Sequence, residues 1–206
     1  MNAVFEEELF RQGVELVAGV DEVGRGSLAG PVVAAAVVLP FPLQAPWLPR
    51  VRDSQELRAP QREALAPEIK AAALAWGLGE VPAEEVDRLG ILPATRLAMR
   101  QAILALNPFP RYLLVDGLKL PEVTLPLQAL IRGDKRCLSI ACASIVAKVY
   151  RDGLMTEAAR IYPGYGFARH KGYGTAHHRD CLARLGPCPI HRLTFAPLKA
   201  PCAEKT

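Results

Sequence analysis

The chain has 206 residues, half of them hydrophobic, and a net charge of +4, which suits one compact domain with a real core. No apolar run is long enough to cross a bilayer, and the N-terminus is acidic (Glu6, Glu7, Glu8) where a cleavable signal is basic, so the cytoplasm is expected. Five irregularly spaced cysteines exclude a disulfide framework.

Residues 2–12 read as a short amphipathic helix with Asn2 as its cap. Leu16–Val20 and Val32–Leu39 read as strands, the second apolar on both faces and therefore central in a covered sheet. Pro40 to Pro49 carries four prolines and is a loop. Ala59 to Leu74 is helical, with Pro60 in its first turn. Trp76–Val81 reads as a strand, Pro82 opens a further helix, and Leu92–Leu106 is helical again.

Arg111–Val115 is a strand running into Asp116-Gly117, and Thr124–Ile131 is another ending near Gly133-Asp134. Leu138 to about Arg160 forms a long helix whose first half is small and apolar, so it can sit close against a sheet. Tyr162 to Tyr173 is a loop of glycine and aromatic residues, Thr175 to Leu185 a last helix, and residues 199–206 a frayed tail. Strands alternate with helices and no linker or repeat interrupts them. The expectation is therefore a single α/β domain over 1–206, core about 15–198, with an antiparallel hairpin beside later parallel strands.

Three of these strands end in acid: Asp21-Glu22, Asp116 and Asp134. Adjacent carboxylates behind an apolar strand are costly to keep together unless a cation neutralises them, and a hard divalent ion takes oxygen ligands of this kind. If the strands are neighbours, four carboxylates meet at one sheet edge. Metal-assisted phosphodiester hydrolysis uses such a grouping, with two ions about 3.5–4 Å apart. Asp116 before Gly117 and Asp134 after Gly133 are equally what ordinary turns carry. The glycines Gly24, Gly26 and Gly30 do not have dinucleotide spacing, and acids precede them where a pyrophosphate would be repelled.

Charge is unevenly spread. From Lys148 to Lys199 there are nine Lys/Arg against three acids, and all four histidines lie there. That is the distribution of a polyanion-binding protein, and also of a plain solvated face. Tyr173 between two glycines in this basic part suits a stacking platform. Lys148 and Arg151 stand one turn apart, facing phosphate or pairing with an acid such as Asp152.

The string GVDEVGRGSLAGPVVAAAVVL from Gly19, with Asp53-Ser54, LLVDG at Leu113–Gly117, Gly133-Asp134, ASIVAKVYRD at Ala143–Asp152, HKGYGT at His170–Thr175 and PIHRLTFAP at Pro189–Pro197, resembles the ribonuclease HII family. The resemblance implies a ribonuclease H-like fold: a mixed five-stranded sheet flanked by helices, with a helical C-terminal part. It implies catalytic, metal-binding carboxylates at Asp21, Glu22, Asp116 and Asp134, holding Mg²⁺ or Mn²⁺. Gly24-Arg25-Gly26 would sense the ribose 2′-hydroxyl, the group that separates RNA from DNA, and Tyr173 would pack on the sugar of the following deoxynucleotide. Ser54 and Lys148 complete the implied substrate-binding set. The implied substrates are RNA–DNA hybrids and single ribonucleotides in duplex DNA, cut to 5′-phosphate and 3′-hydroxyl ends by a monomer serving replication and repair. Gln55-Glu56 after Asp53-Ser54 departs from the family's usual lysine.

A rival reading comes from His177, Cys181, Cys188 and His191, spaced H-x3-C-x6-C-x2-H, as a zinc cluster in a non-catalytic nucleic-acid-binding module. The two-residue CxxC knuckle of such modules is missing.

Overall fold

A computed structural model describes residues 3–198. After α1 (Val4–Arg11) come the strands β1 (Val17–Val23) and β2 (Val32–Val38), then α2 (Ala59–Ala72), β3 (Ala75–Val81), α3 (Ala83–Leu89) and α4 (Ile91–Leu104). β4 (Tyr112–Asp116), β5 (Leu127–Leu130) and a 3-10 turn at Gly133–Lys135 lead into α5 (Leu138–Ile161), α6 (Phe167–His170) and α7 (Ala176–Leu185). The sheet order is β3-β2-β1-β4-β5, with β1 antiparallel to β2 and parallel to β4. This is the mixed five-stranded sheet with flanking helices that the resemblance implied. The expected cap at Asn2 and the frayed tail at 199–206 lie outside the described residues.

The helices cover both sheet faces. Ala18, Val20, Leu113 and Val115 pack with Ala98, Met99 and Ala102 of α4 on one face, while Val33, Ala35 and Val37 pack with Ala141, Cys142 and Ile145 of α5 on the other. β2 is buried along its whole length, as its unbroken apolar run requires.

α5 crosses β1 with almost no gap. A Cβ at Gly19 would lie 2.1 Å from the Ser139 carbonyl carbon, so only glycine admits the start of the helix there. The small side chains Ala141, Ala143 and Ala147 continue that close approach. Because no side chain of its own caps α5, Glu6 from α1 does so: its Oε1 accepts from Ser139 N at 2.7 Å and Ser139 Oγ at 2.8 Å.

Helix ends shift by one or two residues, and three larger differences from the sequence reading stand out. β1 runs on to Val23, because its pairing with β2 continues through Glu22↔Ala34 to Val23↔Val33, so the acid pair lies inside the strand. β5 is only four residues long, since its parallel ladder with β4 spans just Leu113↔Leu127 to Asp116↔Leu130. The Gly/aromatic loop contains α6, a single helical turn.

Candidate active site

The parallel ladder between β1 and β4 ends at Val20↔Val115, which brings Asp21 and Asp116 alongside each other one position further on. Both lie on the sheet face that α5 covers, one alternation from the apolar contacts of Val20 and Val115 with α4. Oxygens of Asp21, Glu22 and Asp116 all fall within 4.8 Å of one another, the one group of at least three potential ligands among the described residues. Asp134, on the 3-10 turn, lines the same cleft outside that trio. The four acids therefore share one site, with three of them in contact range.

Burial dominates the electrostatics. It pushes Asp21 well above the usual carboxylate range, with Glu22 and Asp116 adding repulsion. Glu22 is raised by burial against the pull of Arg25, whose Nη1 donates to Oε1 at 3.0 Å. Asp116 is raised by burial although Gly133 N donates to its Oδ1 at 2.5 Å. Asp134 is raised to about 6 by burial, then by Asp53 and Asp116. Glu22 Oε2 is buried and has no hydrogen-bond partner. Crowded carboxylates with a free, buried oxygen are a donor set that suits a hard divalent cation.

The cleft, about 610 Å³, is closed on its other side by Gly24, Arg25, Gly26, Ser54, Lys148 and Tyr173, the residues expected to bind substrate. Gly24 has φ +91, and a Cβ there would stand 2.2 Å from Arg151 Nε. The segment that follows is stitched into the C-terminal part: Leu28 N donates to Gly172 O at 2.8 Å, Arg192 N to Leu28 O at 2.8 Å, and Ser27 bridges Tyr173. Ser54 is buried and hydrogen-bonds Ser144 Oγ at 2.8 Å, and Ser144 in turn bonds Asp21. Lys148 Nζ is paired with Asp152 at 2.7 Å and lies 5.6 Å from the Tyr173 ring centre.

Arg151 does neither of the two things its spacing allowed. It is fully buried, and its guanidinium donates to the carbonyls of Pro31, Lys171 and Ala29. Arg192, to which no role was given, is also fully buried and donates to Gly30 O and Arg25 O. Together they hold up the Gly24–Pro31 loop from beneath. Asp53, read only as part of a motif, pairs with Lys135 at 3.2 Å and adds charge beside Asp134. A basic residue in a basic region reads as solvated, so the arginines gave no signal. Asp53-Ser54 was visible as a motif, but without a stated task.

The zinc reading is overturned. His177, Cys181, Cys188 and His191 do not form a ligand group among the described residues. Cys181 Sγ lies 3.9 Å from both nitrogens of His177 and so along the lone pair of neither, while His191 turns its Nε2 to His178.

A family model described as Ribonuclease HII matches residues 18–198. The chain belongs to the ribonuclease HII family. It is 53% identical to the ribonuclease HII of Dehalococcoides mccartyi over 95% of this chain and 92% of that protein. It is 55% identical to that of Chloroflexus aurantiacus, over 94% of this chain and 92% of that protein. The crystal structure of the ribonuclease H2 from Pyrococcus horikoshii superposes with a TM-score of 0.73 at 25% identity, covering 89% of this chain and 95% of that one. The protein is a ribonuclease H, a hydrolase acting on nucleic acid. No helix among the described residues is long and apolar enough to cross a membrane.

Proposed function

We propose that this ribonuclease H cleaves the RNA strand of RNA–DNA hybrids and cuts 5′ of single ribonucleotides embedded in duplex DNA, leaving 5′-phosphate and 3′-hydroxyl ends. The observation that carries the reading is the shared cleft: the Asp21, Glu22 and Asp116 carboxylates face the same space as Gly24-Arg25-Gly26 and Tyr173. A hydrolytic centre and a ribose detector are of use to each other only at that range.

Asp21, Glu22 and Asp116 would hold Mg²⁺ or Mn²⁺, with Asp134 completing the set from the neighbouring turn. Divalent cations held there would supply charge neutralisation at the scissile phosphate and would lower the pKa of an attacking water. The chain's own groups do the rest. Arg25, half-exposed and tied to Glu22, stands where it can meet a substrate phosphate. Main-chain groups of Gly24–Gly26 are available to the 2′-hydroxyl, which both donates and accepts. Tyr173 offers its ring to the next sugar, with Lys148 and Arg151 behind it at 5.6 and 5.5 Å from the ring centre. The enzyme acts as a monomer in ribonucleotide removal during replication and repair.

The test is cleavage of a duplex carrying one ribonucleotide, with Mg²⁺ and Mn²⁺ compared and an all-DNA duplex of the same sequence as control. Cleavage at the ribonucleotide alone is expected. Equal cleavage of both duplexes would refute ribose sensing through Gly24–Gly26.

A further inference from the structure

Beneath the Tyr173 loop lies a cluster of buried histidines that the hydrolytic site does not use. His170, His178 and His191 are each less than a tenth exposed, and His170 stacks on His178 with ring centres 4.3 Å apart. Their partners determine which nitrogens carry protons. His178 Nδ1 lies 3.0 Å from the Tyr173 carbonyl, which can only accept, so Nδ1 is the donor and Nε2 of the neutral ring is bare. That bare Nε2 faces His191 Nε2 at 3.0 Å, so His191 must carry its proton there. His191 Nδ1 is then an acceptor, and the Cys188 N–H lies 2.9 Å from it, nearer than the Cys188 carbonyl at 3.2 Å. The proton order is thus continuous: Cys188 N–H to His191, His191 to His178, His178 to the Tyr173 carbonyl.

His170 serves the Lys171–Gly172 peptide in the same way. Its Nε2 donates to Tyr165 O at 2.7 Å, which leaves Nδ1 to accept from Gly172 N at 3.2 Å. Burial lowers all three imidazoles from their usual range, His178 to about 4, which keeps each ring a single-proton donor and acceptor. His178 thus holds the Tyr173–Gly174 peptide from below and His170 the Lys171–Gly172 peptide, while the Tyr173 N–H donates to His170 O and Ser27 bridges Tyr173 from the Gly24–Pro31 side.

We infer that His178, whose Nδ1–H tautomer is set by the Tyr173 carbonyl and complemented by His191, is a positioning residue that fixes the Tyr173 backbone so that the ring meets the substrate sugar. This rests on the reading of Tyr173 as a substrate contact. A ring displaced by about an ångström loses a large part of its benefit to the reaction.

Two measurements test it. In the folded wild-type protein, ¹⁵N NMR of the histidines is expected to show the Nδ1–H tautomer at His178 and Nε2–H at His191. Nε2–H at His178 would overturn the relay without any variant. In kinetics on the one-ribonucleotide duplex, His178→Leu is expected to lower kcat/KM about tenfold. His178→Asn, whose amide N–H replaces Nδ1–H, is expected to recover most of that loss. In a Tyr173→Ala background, His178→Leu should cost less than about twofold, because the two act through one contact. A full tenfold cost in that background would make His178 merely structural and sink the inference. If Tyr173→Ala costs nothing, the Tyr173 reading falls and the relay's role with it. If Tyr173→Ala is costly and His178→Leu is not, only the relay falls.

Discussion

Asp116→Asn separates the charge of the site from its shape. The amide keeps an oxygen for the Gly133 N–H, now 2.5 Å from Oδ1, and removes one charge from a trio whose oxygens lie within 4.8 Å. Two unit charges at 4.8 Å repel by about 3 kcal/mol at an effective dielectric near 20. Asp116 faces two such neighbours, but the raised affinity of all three carboxyls for protons limits how much repulsion the cation-free site retains. A net relief of about 2 kcal/mol follows, or roughly 4–8 °C in Tm for a domain of this size. Melting curves in chelator should thus place the variant above the wild type. Titration with Mn²⁺ or Mg²⁺ should reverse the order, since ligand at a hundredfold excess over Kd adds about 2.7 kcal/mol to a competent site. Cleavage should be abolished while binding of the one-ribonucleotide duplex is unchanged or tighter. A variant that melts lower in chelator and still gains from the cation would refute the view of these carboxylates as a strained cation site. Retained cleavage would refute the role of Asp116.

Three further outcomes are expected. Gly24→Ala forces a side chain onto Arg151 at a positive φ, and should cost about tenfold in kcat/KM on the one-ribonucleotide duplex; Gly26→Ala, with nothing within 4 Å of the added carbon, should leave Tm unchanged. Glu6→Ala strips the start of α5 of its acceptor and should cost about 1–2 kcal/mol, read as lower Tm and faster amide exchange at Ser139, with unchanged exchange counting against the cap. His178, held near 4 against an ordinary value of 6.5, is neutral in the fold, so its contribution is intact above about pH 6.5 and lost as pH falls toward 4. The loss is at most about 3 kcal/mol. The raised carboxylates titrate in the opposite sense, taking up protons on acidification in favour of the fold, so the measurement is the difference in Tm between wild type and His178→Asn across pH 4–7 in chelator. A pH-independent difference would contradict a neutral His178.

How much of this could be read from residues alone follows from the range of each interaction. The Val32 run announced a covered central strand, and Asp21-Glu22 announced a cation need, because both are local facts. The limit of β1 was missed because pairing with Val33 and Ala34, a property of the partner strand, carries the strand beyond its acids. That Asp116 meets Asp21 depends on β4 lying parallel beside β1 after a long crossover, which no spacing encodes. The resemblance supplied that juxtaposition. The histidines misled in the opposite direction: of the two in the zinc-compatible spacing, His191 spends its nitrogens on His178 and the Cys188 N–H, and His177 has, among the described residues, only Cys181 Sγ, 3.9 Å from its nitrogens.

The buried arginines show what kind of cleft this arrangement builds. Arg151 and Arg192 take backbone carbonyls as partners where a carboxylate would have held them more tightly. Neither makes an ion pair among the described residues, and burial, reinforced by Arg151, lowers Arg192 to about 9 against the pull of Asp87. Across the cleft, burial raises the carboxylates. The arginines lie beneath the loop and do not line the cleft, whose acidic side is therefore short of cations unless divalent ions enter. On the proposed reading a nucleic-acid phosphate entering alone would be repelled by the carboxylates, whereas one entering with divalent cations would share them as ligands. Binding of substrate and of cation should accordingly be mutually reinforcing, by the same factor in each direction. On that reading the acids bring the cation requirement, and Gly24-Arg25-Gly26 would receive the phosphate that makes the requirement worth meeting.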